Sequence, residues 1–138
     1  MIGLKFGSSR VVLLIGKIAI KIPFSKCGIE QSRTEINFFY KNKNAEFFPF
    51  AKILKTRGSI IFAERCTGIK NNVENPEIIK RADKIKISFD QFNFMFGDIY
   101  RIENWGKNRN GEIVLLDYGL DERIQTKYYY KYIKKWID

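Results

Sequence analysis

The sequence predicts an α+β fold in two parts: five short strands carrying one helix, then a helical part. Three observations carry this. Apolar runs of strand length, punctuated by Gly, Pro and Asn, fill positions 1–66 and are interrupted by a single stretch of helical spacing. From 67 to 138 the pattern changes to helical segments around a polar loop. Within that loop an apolar run, Ile113 to Leu116, ends on a carboxylate, Asp117, backed by Tyr118 and Gly119. An acid at the end of a buried strand is well placed to face a cleft.

Each element has its own signal. Ile2 to Phe6 and Arg10 to Ile15 read as strands joined by the turn Gly7-Ser8-Ser9. Lys17 to Ile22 alternates with period two and stops at Pro23, so Lys17, Ala19 and Lys21 share one face and Ile18, Ile20 and Ile22 the other. A lysine beside Ala19 on the inner face is unusual in a plain sheet; it is expected if Lys21 must reach a phosphate. Ile29 to Lys43 has helical spacing through Ile36, Phe39 and Tyr40, with Glu35 one turn before Phe39. Phe47 to Leu54 and Ser59 to Glu64 read as strands around the turn Arg57-Gly58.

The second part reads less cleanly. Thr67 to Asn75 is a polar linker, Asn75 an N-cap ahead of Pro76, and Glu77 to Lys84 a short helix. Lys86 to Phe96 is a second helix, rich enough in Phe to be buried on much of its surface. Asn108-Arg109-Asn110-Gly111 is a hairpin-type turn. Asp121 to Asp138 is a helix with an aromatic face, Tyr128 to Trp136, and a basic stripe of Lys127, Lys131, Lys134 and Lys135.

Composition narrows the chemistry. The 138 residues carry a formal charge of +10, which favours a polyanionic partner: nucleotide phosphates, nucleic acid, an acidic protein or an anionic membrane surface. There is no histidine, so a Ser-His-Asp triad, a Cys-His dyad and a His-containing zinc site are excluded. Acid-base work would fall to carboxylates, Lys or Tyr. Cys27 and Cys66 lack C-x-x-C spacing. The apolar run Val11 to Ile15 is too short for a secretion signal, and no stretch reaches the roughly 20 apolar residues of a membrane span. The expectation is a cytoplasmic protein with reduced thiols.

The order of motifs carries a resemblance. Ala19-Ile20-Lys21-Ile22, Gly97-Asp98, Asn104 and Asp117-Tyr118-Gly119 look like the strand lysine, catalytic loop and metal-binding turn of the protein-kinase-like superfamily. The resemblance covers about residues 2 to 120. It implies a two-lobed protein-kinase-like fold, with an antiparallel five-stranded N-lobe sheet and a much reduced helical C-lobe. It implies ATP and Mg²⁺ as cofactors. Lys21 would grip phosphates, held by Glu35, with Glu30 the alternative. Gly7, Ser8 and Ser9 would touch phosphate, and Ala19 would line the adenine site. The backbone of Glu64, Arg65 and Cys66 would meet the adenine edge, with Phe62 at the back of the pocket. Asn104 and Asp117 would hold the metal, and Asp98 would orient a substrate hydroxyl.

This sequence departs from the family pattern in three places. G-x-G-x-x-G is absent, Phe96 stands where the family has His, and Asn104 follows Asp98 by six positions where five is usual. Only 18 residues follow Gly119 before Asp138, too few for a peptide-binding lobe. The chain is similar to stripped-down kinase cores of phage and other viruses, which would place it in a host cytoplasm. Two functions follow: phosphoryl transfer to a protein or small-molecule hydroxyl, or a pseudokinase-like module that binds a host protein or nucleic acid. The aromatic C-terminal segment could also pair two copies.

Overall fold

The computed structural model describes residues 2–69, 75–89, 99–119, 124 and 127. Five strands form one antiparallel sheet: β1 (Ile2–Phe6), β2 (Arg10–Ile15), β3 (Ile18–Pro23), β4 (Ile53–Arg57) and β5 (Ile60–Glu64), in the order β1-β2-β3-β5-β4. Helix α1 (Lys26–Asn42) packs on the inner face of this sheet. A second helix, α2 (Asn75–Ser88), follows it in the chain. Three short strands, β6 (Thr67–Gly68), β7 (Trp105–Lys107) and β8 (Ile113–Leu115), form a small antiparallel sheet. The architecture is thus α+β with a five-stranded antiparallel sheet, as the sequence predicts.

The period-two pattern of β3 decides which face is which. Ala19 and Lys21 are buried on the inner face. The register pairs Leu14 with Ala19 and Ala19 with Ala63, while Val12 pairs with Lys21. Small residues at Ala19 and Ala63 leave room above them. The outer face is different. Three apolar rows cross it: Ile2, Ile15 and Ile18; Leu4, Leu13, Ile20 and Phe62; Phe6, Val11 and Ile22. Ile2 and Phe6 on the edge strand are 74% and 76% exposed.

Several boundaries move. Helix α1 begins at Lys26 instead of Ile29, because the Ser25 hydroxyl accepts the Gly28 N–H at 3.1 Å and caps the first turn. Gly28, expected before the helix, lies inside it. A Cβ there would collide with the Ser9 carbonyl, so the close approach of the β1–β2 turn requires glycine. The expected strand from Phe47 becomes regular only at Ile53. Pro49 brings no N–H to a ladder. Its neighbours Phe48 and Phe50 pack around Phe38, with Phe50 at 4.8 Å between ring centroids. Phe50 instead bridges Leu115 in parallel.

In the second part, one helix replaces the expected N-cap and two-helix break. Ile78, Ala82 and Ile85 fall on one buried stripe that runs through Lys84 without interruption. Thr67 and Gly68, read as linker, pair with Lys107 and Gly106. The hairpin turn stands as read: Asn108 Oδ1 accepts the N–H groups of Asn110 and Glu112, and Gly111 has φ +80°. Positions 90–96 of the expected aromatic helix, Gly97 and Asp98 after it, and all of 121–138 except Ile124 and Lys127 lie outside the described residues.

One core joins the two parts. Phe38 of α1 meets Phe50, Phe89 and Tyr118 with centroids at 4.8, 5.4 and 5.7 Å, and the same cluster includes Ile61, Ile78, Ile85, Trp105 and Leu115. Trp105 is buried to 1% and donates its indole N–H to the Ile99 carbonyl at 2.8 Å. Among the described residues no helix is long and apolar enough to cross a membrane.

Candidate functional site

A cleft of about 760 Å³ opens between the inner face of the five-stranded sheet and the segment around Asn104 and Asp117. Val12, Leu14, Ala19 and Ala63 form an apolar wall; Lys21, Arg10, Asn104 and Asp117 form a polar one. Gly7, Ser8 and Ser9 stand at the β1–β2 turn, and Glu64 and Cys66 at the opposite rim.

Lys21 is the centre of the polar wall. Its ammonium is 2.7 Å from Glu35 Oε2 and donates to the Leu116 carbonyl at 2.5 Å. Both side chains of the pair are nearly inaccessible to solvent. Such burial is tolerated because the pair is also hydrogen-bonded: Glu35 Oε1 accepts the Tyr118 N–H at 3.0 Å. Glu35, and not Glu30, is the partner of Lys21; Glu30 instead meets Lys127 at 3.0 Å.

Sequence reasoning missed the third member. Arg10 opens β2 and is buried. Its Nη2 donates to Asp117 Oδ1 at 2.6 Å and lies 3.5 Å from Glu35 Oε1, while Nη1 donates to Ser32 Oγ at 3.3 Å. The signal was present: Arg10, Val12 and Leu14 share one face by period two, so the strand that lines the apolar wall must carry Arg10 on the same side.

The Asp117 side chain is about half exposed; the burial it has would raise the carboxyl, but Arg10, Lys21 and the Gly119 N–H outweigh it and hold it below the ordinary carboxylate range. Burial likewise opposes the Arg10 charge, and Asp117 and Glu35 overcome it. Burial, then the nearby Glu64 carboxylate, pushes the Cys66 thiol up to about 11. Burial, Glu35 and Glu64 raise the Tyr118 phenol well above its usual value, and its hydroxyl donates to the Ala51 carbonyl at 2.8 Å.

No known protein-family model matches the chain, and no curated protein matches it.

The expected site residues fall into three groups. Lys21, Ala19, Gly7, Ser8, Ser9, Glu64, Cys66, Asn104 and Asp117 all line the cleft, with Glu35 directly behind Lys21. Arg65 does not line it: its N–H donates to Lys17 O and its guanidinium to Gly16 O. Phe62 lies on the outer face of the sheet, because β5 alternates and turns Ile61 and Ala63 inward. Asp98 lies outside the described residues. Ser9 is already engaged: its hydroxyl donates to Gln31 Oε1 at 2.5 Å, so it holds the turn to α1.

The donor set was tested against Mg²⁺. Asp117 and Asn104 both face the cleft, and hard oxygen ligands suit the ion. However, Asp117 Oδ1 already carries a guanidinium. Two cations, Arg10 and Lys21, balance the two carboxylates, Glu35 and Asp117. Among the described residues no group of three or more His, Cys, Asp or Glu is placed to hold a metal ion. A doubly charged ion equally distant from Arg10 and Asp117 would gain nothing net from the pair, since repulsion by the guanidinium cancels attraction to the carboxylate. With Arg10 seated on Asp117, the set does not fit a divalent ion.

Proposed function

We propose that the cleft binds ATP and that the fold is a reduced two-lobed kinase-like one. One observation carries this reading. A buried lysine, held by a buried glutamate, faces an open cleft whose adjoining wall is apolar and built around two alanines. A structural ion pair has no need of a cavity beside it.

The parts divide the ligand between them. The apolar slot of Val12, Leu14, Ala19 and Ala63 accepts a flat base. Among the described residues, the N–H groups of Glu64 and Arg65 are taken by the Lys52 and Lys17 carbonyls, so Cys66 is the backbone donor left at the base edge. Lys21 has three N–H donors and two are taken, by Glu35 and Leu116 O. The third is available to a phosphate oxygen. Glu35 holds the ammonium at the cleft wall, which is positioning by electrostatics.

Phosphoryl transfer to a protein or small-molecule hydroxyl is the reaction such a site would support, with Asp98 orienting the hydroxyl. The contact of Arg10 with Asp117 favours a second reading, binding without transfer, in the manner of a pseudokinase-like module. Thermal melting with ATP tests the shared first step. A ligand at 100 times its dissociation constant adds about 2.7 kcal/mol. The wild type should melt higher with ATP and Lys21→Met should not; no shift in the wild type refutes the reading. Release of labelled phosphate then separates transfer from binding.

A further inference from the structure

We propose that Arg10 is a resident cation for the phosphates, so that the cleft binds a nucleoside triphosphate without a divalent metal. This rests on the nucleotide reading above and extends it.

The argument starts from where Arg10 is held. A buried guanidinium needs partners for its fork of donors. Here they come from two separate elements: Ser32 and Glu35 on α1, and Asp117 beyond β8. The side chain is therefore fixed in place before any ligand arrives. It lines the cleft on the same face as Val12 and Leu14 and close to Lys21, which approaches the same Glu35 from the other oxygen.

That position matters for charge. A triphosphate needs positive charge set against its oxygens. In the described residues it is supplied by Lys21 and Arg10 at the cleft wall, with Lys5 also on the lining and Arg101 there paired to Glu103 at 3.3 Å. A guanidinium is planar, remains charged at any accessible pH and matches phosphate geometry with two parallel donors. Asp117 then has a different role from metal ligation: it orients Arg10 and keeps its charge in place. Asp117 is a positioning residue on this account.

The test is direct titration of a fluorescent ATP analogue, in EDTA and in excess Mg²⁺, for the wild type, Arg10→Lys and Arg10→Gln. The wild type should bind within about threefold under both conditions, a difference below ~0.7 kcal/mol. Arg10→Gln should lose at least about tenfold in EDTA, and Mg²⁺ should restore part of the loss because Asp117 is uncovered. Arg10→Lys should retain more metal-free binding than Arg10→Gln. Wild-type binding that needs Mg²⁺ by about tenfold or more would overturn the inference and leave the nucleotide site standing. Equal weakening of Arg10→Gln under both conditions would make Arg10 a purely structural residue and also overturn it. Absence of ATP binding by the wild type under either condition refutes both readings. If Arg10→Gln does not fold, the wild-type comparison and Arg10→Lys decide.

Discussion

The Tyr118 N–H donates to Glu35 Oε1 at 3.0 Å, across 83 positions of sequence. This one bond locks α1 to the chain directly after Asp117. It also leaves Glu35 with three close partners: this N–H, Lys21 at 2.7 Å and Arg10 at 3.5 Å. The asymmetry between Glu35 and its cations has a measurable consequence.

Glu35→Ala should be the most damaging change at the site. It leaves two buried cations and a buried N–H without their acceptor, a loss of about 3–5 kcal/mol. Lys21→Met should cost less, roughly 1–3 kcal/mol, since Glu35 keeps Arg10 and Tyr118. Urea unfolding midpoints of the two variants check the order. A Lys21 variant less stable than the Glu35 variant would contradict it.

Asp117 predicts an acid-sensitive limb. Its folded carboxyl holds a proton less readily than in the unfolded chain. The stability it adds is present above the unfolded value, about 3.9, and disappears as pH falls through the lower folded value. In Asp117→Asn that contribution is absent at every pH. The gap in melting temperature between wild type and variant should therefore close as pH falls below about 4.

Cys66 should be a slow thiol. A value near 11, against 9.0 for a free thiol, lowers its thiolate fraction at pH 8 by about 100-fold. Alkylation of Cys66 should run slower than that of a free cysteine by about that factor and speed up toward pH 11. Because Cys66 lines the cleft, ATP should slow it further. Equal rates with and without ATP would argue against the base lying at this rim.

The two sheet faces should respond oppositely to substitution. Ile61 is fully buried under α1, so Ile61→Ala should cost about 2–5 kcal/mol. Ile2 is 74% exposed on the outer face, and Ile2→Ser should stay within about 0.5 kcal/mol. Thermal melts at matched concentration compare them directly.

The site was legible where chemistry and periodicity coincided. Lys21 stood out because a charge on the inner face of an apolar strand demands a reason, and Asp117 because an acid ended a buried run. Glu35 could be placed only to within one helical turn, since the choice between it and Glu30 depends on how α1 rotates over the sheet. Arg10 was passed over because a charge at the first position of a strand reads as a boundary. Its role arises from register, which pairs β2 with β3 and is set by tertiary contact. Phe62 was misplaced for a different reason: its place just before the hinge-like segment suggested the back of a pocket, while alternation through Ile61 and Ala63 put it outside. The strand expected at Phe47 failed because aromatic packing around Phe38 outweighed strand propensity.

Gly119 has no room for a side chain, because a Cβ there would strike the Gln31 carbonyl. Gln31 in turn accepts the Ser9 hydroxyl, and the Gly28 backbone lies against the Ser9 carbonyl. Roof, helix and floor are therefore meshed like gear teeth, with no slack between turn, α1 and the Asp117 segment. A molecule that lifts the roof must turn the helix and shift the floor as well. Amide exchange at Phe24, bonded to Ser9, and at Tyr118, bonded to Glu35, should accordingly slow together on ligand binding. Independent protection of the two would mean that the teeth can slip.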